Sequence, residues 1–286
     1  MHQSEHTGFW FALLAVFFTA GMSLFVKLSS SATVATLVFS RFILGVPLFV
    51  PMARAKKIHL SWQGVPKNLM RSLAGLGSLY TFYYALHTLP LVNAITLAST
   101  APLFLPILNL IWKKKLVSKQ RWWAAGIGFL GVVVMLRPST TEFLVIGSLF
   151  ALLTGLFRAV AIFNVRSLAK TEAAETILAY YFCIGAVLSF FPLVVDFQWI
   201  RSPEQWLYVF LAGIMSLGYQ YTLTRACAHL ATTKVSSINY LSVVAGGLLG
   251  WWVFHEIPDM WVWAGTALII VGALLALLDR HRTVQL

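Results

Sequence analysis

The sequence predicts an all-α membrane protein of ten transmembrane helices, arranged as two inverted repeats of five. Three observations carry this expectation. The 286 residues are 59% hydrophobic and 10% charged, with a mean hydropathy of +0.80, whereas soluble domains average about 45–50% apolar and about 25% charged residues. The Lys and Arg residues alternate from loop to loop, sixteen of the 21 falling on one side of the ten spans and three on the other. The two halves of the chain also align with each other.

In chain order the spans are 8–28, 33–53, 68–88, 91–112, 119–136, 143–165, 175–195, 205–227, 232–254 and 259–279. Each approaches the roughly 20 apolar residues that cross a hydrocarbon core. The first lacks a basic leader and a small-residue cleavage site and reads as a retained helix. The loop after the second span holds Arg54, Lys56, Lys57 and Lys67, with Arg71 just beyond, and the loop after the fourth holds Lys113, Lys114, Lys115, Lys119 and Arg121. Arg166 and Lys170 follow the sixth span, Arg225 and Lys234 flank the next return, and Arg280 and Arg282 close the tail. Lys27, Arg137 and Arg201 alone fall opposite. Cytoplasmic loops retain Lys and Arg, so both termini are expected in the cytoplasm of a multi-pass plasma (bacterial inner) membrane protein. Trp62, Trp112, Trp122, Trp199, Trp206 and Trp261 fall near span ends, where indole rings prefer the interface.

The repeat is read at three offsets. At about 139 residues Gly8 matches Gly147, Ala20 matches Ala159, Val26 matches Val165 and Lys27 meets Arg166. At about 140 Thr36 meets Thr176, Phe42 meets Phe182 and Gly45 meets Gly185. At about 141 Tyr80 meets Tyr221, Leu89 meets Leu230, Trp122 meets Trp263 and Gly131 meets Gly272. The drift of one residue between blocks is what small loop insertions produce. The division expected is 1–138 and 139–286. A five-helix unit has an odd number of spans, so its second copy enters the membrane upside down, an arrangement in which transporters hold substrate near the midplane between the halves.

Much is excluded. The net charge of +12 belongs to loops facing anionic lipid rather than to a nucleic-acid surface. Cys183 and Cys227 suit neither a disulfide framework nor a metal site. His255-Glu256 lacks the second histidine of a helical zinc motif, and no phosphate-binding glycine loop ends in Lys-Ser/Thr. No cofactor, metal or catalytic group is expected. A membrane-embedded enzyme or a non-transporting scaffold is the alternative from another class. The partners expected are a small-molecule substrate and the lipid bilayer, with the chain as monomer or homodimer.

The polar residues inside spans are the candidate site. A mid-span Arg costs about 2.5–3.5 kcal/mol on insertion scales and should face protein or water. Arg41 and Arg158 are so placed, and none of the nine acids lies mid-span to pair with them. Each either braces helices through backbone carbonyls or meets an anionic substrate group through its planar fork, and Arg158 also lies near enough to a span end to snorkel. Tyr80, Tyr83, Tyr84 and His87 share one helical face, faced in the second repeat by Tyr221 and Arg225. Such rings attract a cation or stack on a base, or they pack between helices. Asn93 and Thr96, with Ser236, Asn239 and Tyr240, form polar faces on spans four and nine that line a site or bridge helices. The absence of mid-span acids favours exchange or facilitated movement over proton symport.

Four segments carry a family likeness: YALHTLPLVNAITLASTAPLFLPI from Tyr84 to Ile107, RFILGVP from Arg41 to Pro47, QRWWAAGIGFLGVVVMLRP from Gln120 to Pro138, and the stretch from Ala226 through HEIPD at Asp259. With them the chain resembles the ten-helix EamA-like members of the drug/metabolite transporter superfamily. The resemblance implies a secondary transporter moving a small organic metabolite, amino-acid-like or otherwise zwitterionic or amphipathic, by alternating access. INYLSVVAGGLLGWWVFHEIPD, from Ile238 to Asp259, is similar to S-adenosylmethionine/S-adenosylhomocysteine exchangers, the alternative substrate reading. One departure stands out. The family often has a Glu before its fifth helix; here that position is Lys115, whereas Glu256 keeps it in the second half.

Overall fold

The structure is a computed structural model and describes residues 2–54, 58, 62–113, 119–136, 142–230, 234–235 and 238–278. Its helices are α1 (His2–Leu28), α2 (Val34–Arg54), α3 (Val65–Thr88), α4 (Leu91–Ala98), α5 (Ala101–Lys113), α6 (Lys119–Leu136), α7 (Glu142–Leu168), α8 (Ala174–Val195), α9 (Pro203–His229), α10 (Leu241–Phe254) and α11 (Met260–Leu278). A short 3₁₀ turn at Trp62–Gly64 precedes α3. These match the expected spans to within a few residues, with one correction. The fourth span is two helices, α4 and α5, separated by a turn at Ser99 and Thr100, and in the ninth span α10 follows a turn at Asn239 and Tyr240.

The break in the fourth span has a local cause. Pro102 carries no N–H, so the Ala98 carbonyl loses its helical partner. The hydroxyls of Ser99 and Thr100 turn back onto the carbonyls of Ile95 and Leu97, each at 2.7 Å. Irregular backbone at membrane depth persists only where protein or a cavity covers it. Here the Gly155 backbone of α7 lies so close that a Cβ would fall 2.3 Å from Thr100 Oγ1.

Packing between helices obeys a pseudo-two-fold. α1 packs on α9 as α3 packs on α7, and α10 meets α1 as α4 meets α7. The equivalent helices α2 and α8, α4 and α10, and α6 and α11 pack on each other across the axis. The same reciprocity appears residue by residue. A Cβ on Gly45 would sit 2.3 Å from the Phe182 ring, and one on Gly185 2.1 Å from the Phe42 ring. Lipid supplies no hydrophobic drive between helices, so close approach through small residues does that work.

Two faces of the bundle follow from the alternation. α1, α3, α6 and α8 begin at the N-terminal face, whereas α2, α4, α7, α9 and α11 begin at the opposite face, marked by Lys27 and Glu256. Among the described residues, α3 and α9 are long helices that fall short of the apolarity of a free-standing span, whereas four others reach it. These two are repeat equivalents, and each buries polar residues, Arg71, Ser78 and Thr81 on α3 and Ser216, Gln220 and Thr224 on α9.

Candidate functional site: a cavity lined by three arginines

A cavity of about 40 Å³ lies between the two halves. Its wall includes Arg41 of α2, Arg71 of α3 and Arg158 of α7, which are 1%, 2% and 7% exposed. α3 presents Arg71, Gly75, Ser78, Leu79 and Phe82, a stripe of helical period. α9 answers with Tyr219, Gln220, Leu223 and Cys227. Ser78 and Tyr219, Leu79 and Gln220, and Phe82 and Leu223 are repeat equivalents, so the cavity is bounded by one stripe and its symmetry copy.

Each guanidinium is held mainly by aromatic faces. Arg71 stacks on Tyr181 of α8 with its guanidinium carbon 3.9 Å from the ring centroid, and Arg41 approaches the same ring at 5.6 Å. Tyr181 is the repeat equivalent of Arg41, which puts this contact on the pseudo-two-fold axis. Arg41 also donates from Nη2 to Gln220 Oε1 at 3.0 Å. Arg158 lies 5.3 Å from the Phe82 ring and 5.9 Å from that of Tyr219. Gly75 makes room for Arg71: a Cβ there would fall 2.5 Å from Nη1 and 2.7 Å from Tyr181. Cation–ring contacts offset part of the desolvation cost, yet Nε and Nη1 of both Arg41 and Arg71 find no hydrogen-bond acceptor. None of the three arginines forms an ion pair among the described residues. The site is positive and under-satisfied, and it is too small for a metabolite until the helices part, since ligand pockets run about 300–1,000 Å³.

The structure sorts the expected site residues into three groups. Arg41 and Arg158 line the cavity, and Arg158 does not snorkel to a face. Asn239 flanks it, whereas Tyr240 lies outside its lining. Asn239 borders a smaller void that continues past Arg158 to the break at Ser99, and the buried Tyr240 hydroxyl has no partner. The remaining candidates stand apart. The tyrosine stripe of α3 is turned away from Ser78 and Phe82, so Tyr80, Tyr83 and Tyr84 do not form the wall expected of them. Tyr83 instead shares a hydrogen bond with Ser216 at 3.2 Å, Tyr84 packs 4.4 Å from the Phe150 ring, and Tyr80 is half-buried. Tyr221 packs on Phe11, and Arg225 pairs with Glu175 at 2.8 Å near the N-terminal face. Thr96 bonds the Val92 carbonyl of its own helix, and Asn93 lies outside the lining. Ser236 falls outside the described residues. Arg71, Tyr181, Tyr219 and Gln220 were not expected at the site.

A membrane bundle with inverted halves, broken spans in both and a polar cavity between them is the architecture of a secondary carrier. The EamA-like transporter family matches residues 6–137 and, a second time, residues 145–278. The chain belongs to that family. It is 28% identical over 270 residues to the pseudopaline exporter CntI of Pseudomonas aeruginosa, covering 94% of this chain and 95% of that protein. It is 24% identical to the riboflavin transporter of Vibrio cholerae, over 83% of this chain and 80% of that one. It is also 24% identical to the S-adenosylmethionine uptake transporter of Rickettsia felis, over 76% and 74%. A solved crystal structure shares the fold with a TM-score of 0.67 at 19% identity, covering 95% of this chain and 96% of the other. The chain is therefore an integral membrane transporter of a small metabolite.

Proposed function

We propose that this transporter works by alternating access in the bacterial inner membrane, with both termini cytoplasmic. The units that move against each other are residues 1–138 and 139–286. The substrate is an amphipathic or zwitterionic organic metabolite, held between the halves with a carboxylate on Arg41 and Arg158 and an apolar or ring portion against Tyr181 and Tyr219. The observation that carries this reading is Arg41, almost fully buried with two nitrogens lacking an acceptor beside Gln220 and Tyr181. A guanidinium so placed offers a planar fork that matches a carboxylate. The names of the relatives support an organic solute, since pseudopaline, riboflavin and S-adenosylmethionine are all organic metabolites. A second reading, an S-adenosylmethionine-type exchanger, is favoured by the Rickettsia relative.

Counterflow in proteoliposomes tests the proposal. Labelled amino acids or adenosyl metabolites should exchange across the sealed bilayer. Arg41→Lys should cut that exchange more than it lowers the melting temperature, because an ammonium cannot reproduce the bidentate fork. Full exchange by a well-folded Arg41→Ala variant would remove Arg41 from the site.

A further inference from the structure

Resting on the carrier reading above, we propose that the cavity selects an organic solute bearing two or more anionic groups, with Arg71 as its second anion anchor. Three guanidiniums on three separate helices share one cavity, and each is more than nine-tenths buried. A single carboxylate would leave most of that charge uncompensated in a medium where like charges repel strongly. Among the acids whose side chains are described, Asp196 is exposed at the end of α8 and the others are engaged elsewhere. Glu172 accepts a hydrogen bond from Asn68, Glu175 pairs with Arg225, Glu204 with Tyr208 and Glu256 with Lys27, while Asp259 caps the start of α11. Among the described residues none supplies the arginines an anionic group, which leaves that role to the solute.

Arg71 is specific to this chain's site rather than to the symmetry of the fold. Its repeat counterpart is Ala212, and the counterpart of Gly75, which clears its path, is Ser216. The added charge therefore lies on the N-terminal side of the cavity alone. Its Nε and Nη1 have no acceptor, and its guanidinium plane is already fixed against Tyr181 at 3.9 Å. A guanidinium packed only to hold α3 against α8 would have no need to line the cavity while leaving two nitrogens without acceptors. Carboxylates and phosphates share the geometry that such a fork recognises.

The test is binding to the full-length protein in nanodiscs of neutral phosphatidylcholine, at constant ionic strength. The probes are tricarballylate, succinate, acetate, glycine and glycerol phosphate. Tricarballylate and succinate should bind at least about tenfold more tightly than acetate or glycine. Glycerol phosphate in their place would assign the fork to a phosphate dianion. Arg71→Gln should bring the multivalent probes to within about twofold of acetate. If that variant does not fold, arginine-directed labelling with phenylglyoxal decides on the unaltered protein: tricarballylate should shield the Arg71 peptide and acetate should not. Equal affinity for acetate and tricarballylate, an order that Arg71→Gln leaves unchanged, or labelling of Arg71 that no multivalent anion slows would overturn the proposal. Exchange of neutral or monoanionic solutes alone in proteoliposomes would overturn it too while leaving the carrier reading intact. Absence of exchange for every solute would overturn that reading instead.

Discussion

Lys27 and Arg166 occupy equivalent positions in the two repeats, and each cap is built the same way. Lys27 donates to the Leu89 carbonyl at the end of α3, at 2.8 Å, and Arg166 donates to the Leu230 carbonyl at the end of α9, at 2.5 Å. The surroundings then diverge. Lys27 also pairs with Glu256, whose second oxygen accepts the Leu91 N–H at 2.7 Å, while the Phe254 ring lies 5.1 Å from the ammonium. The repeat counterpart of Glu256 is Lys115, a residue outside the described ones. One face is thus tied by an ion pair joining α1, the α3–α4 junction and the end of α10. The sequence supplies a cation where the other face would need the carboxylate. Two halves of common design have been made electrostatically unlike, and Arg71 adds charge to the cavity on the N-terminal side, where Glu175 and Arg225 join α8 and α9.

The largest expected effect is on the tied face. Lys27→Met removes both the cap and the ion pair and leaves Glu256 half-buried without its cation, which should lower stability by about 2–3 kcal/mol. Arg166→Met removes only a charged hydrogen bond and should cost about 1 kcal/mol. Denaturant titration in detergent gives both, and equal losses would break the comparison. Next comes the shared part of the design. Gly45→Ala and Gly185→Ala each force a Cβ onto a phenylalanine ring, so each should cost about 1–3 kcal/mol, by like amounts. A large inequality would mean that α2 and α8 do not approach symmetrically.

How much of this was legible in the sequence divides along the same line. The spans are legible, because twenty apolar residues between charged loops leave little choice, and so are the equivalences of Phe42 with Phe182 and Gly45 with Gly185; that these meet crosswise, Gly45 on Phe182 and Gly185 on Phe42, is shown by the structure alone. The break at Ser99 and Thr100 was masked by the unbroken hydropathy of the run, although Pro102 signalled it. By sequence Arg71 counts with the basic residues of the adjoining loop, because it sits near a span end. Its spacing to Gly75, Ser78 and Phe82 would have placed it on the inner stripe. The tyrosines of α3 share a face, as their spacing requires, but spacing alone does not say which face points to the axis. Tyr181 was findable as the repeat equivalent of Arg41.

Smaller effects sharpen the contrast. Lys115→Glu offers Arg166 the carboxylate that Lys27 already has. Stability should rise by no more than about 1 kcal/mol, as for exposed pairs, while counterflow slows because both caps then carry an ion pair. Faster exchange would show that the missing acid does not set the balance. Arg225→Gln, which breaks a partly exposed pair with Glu175 away from the cavity, should cost about 0.5 kcal/mol or less and leave counterflow within about twofold of the parent. A severe transport defect there would return Arg225 to the site.

The central claim is one cavity between the halves, closed more firmly at the Glu256 face than at the N-terminal face. Thiol labelling from either side of oriented vesicles tests it directly. The label is placed by Leu79→Cys, a cavity-lining position, in a background with Cys183→Ser and Cys227→Ser. An impermeant maleimide should react from the N-terminal face and not from the Glu256 face, and adding Glu256→Gln should open reaction from both. Labelling from the Glu256 face alone, or a pattern that Glu256→Gln leaves unchanged, would contradict the account.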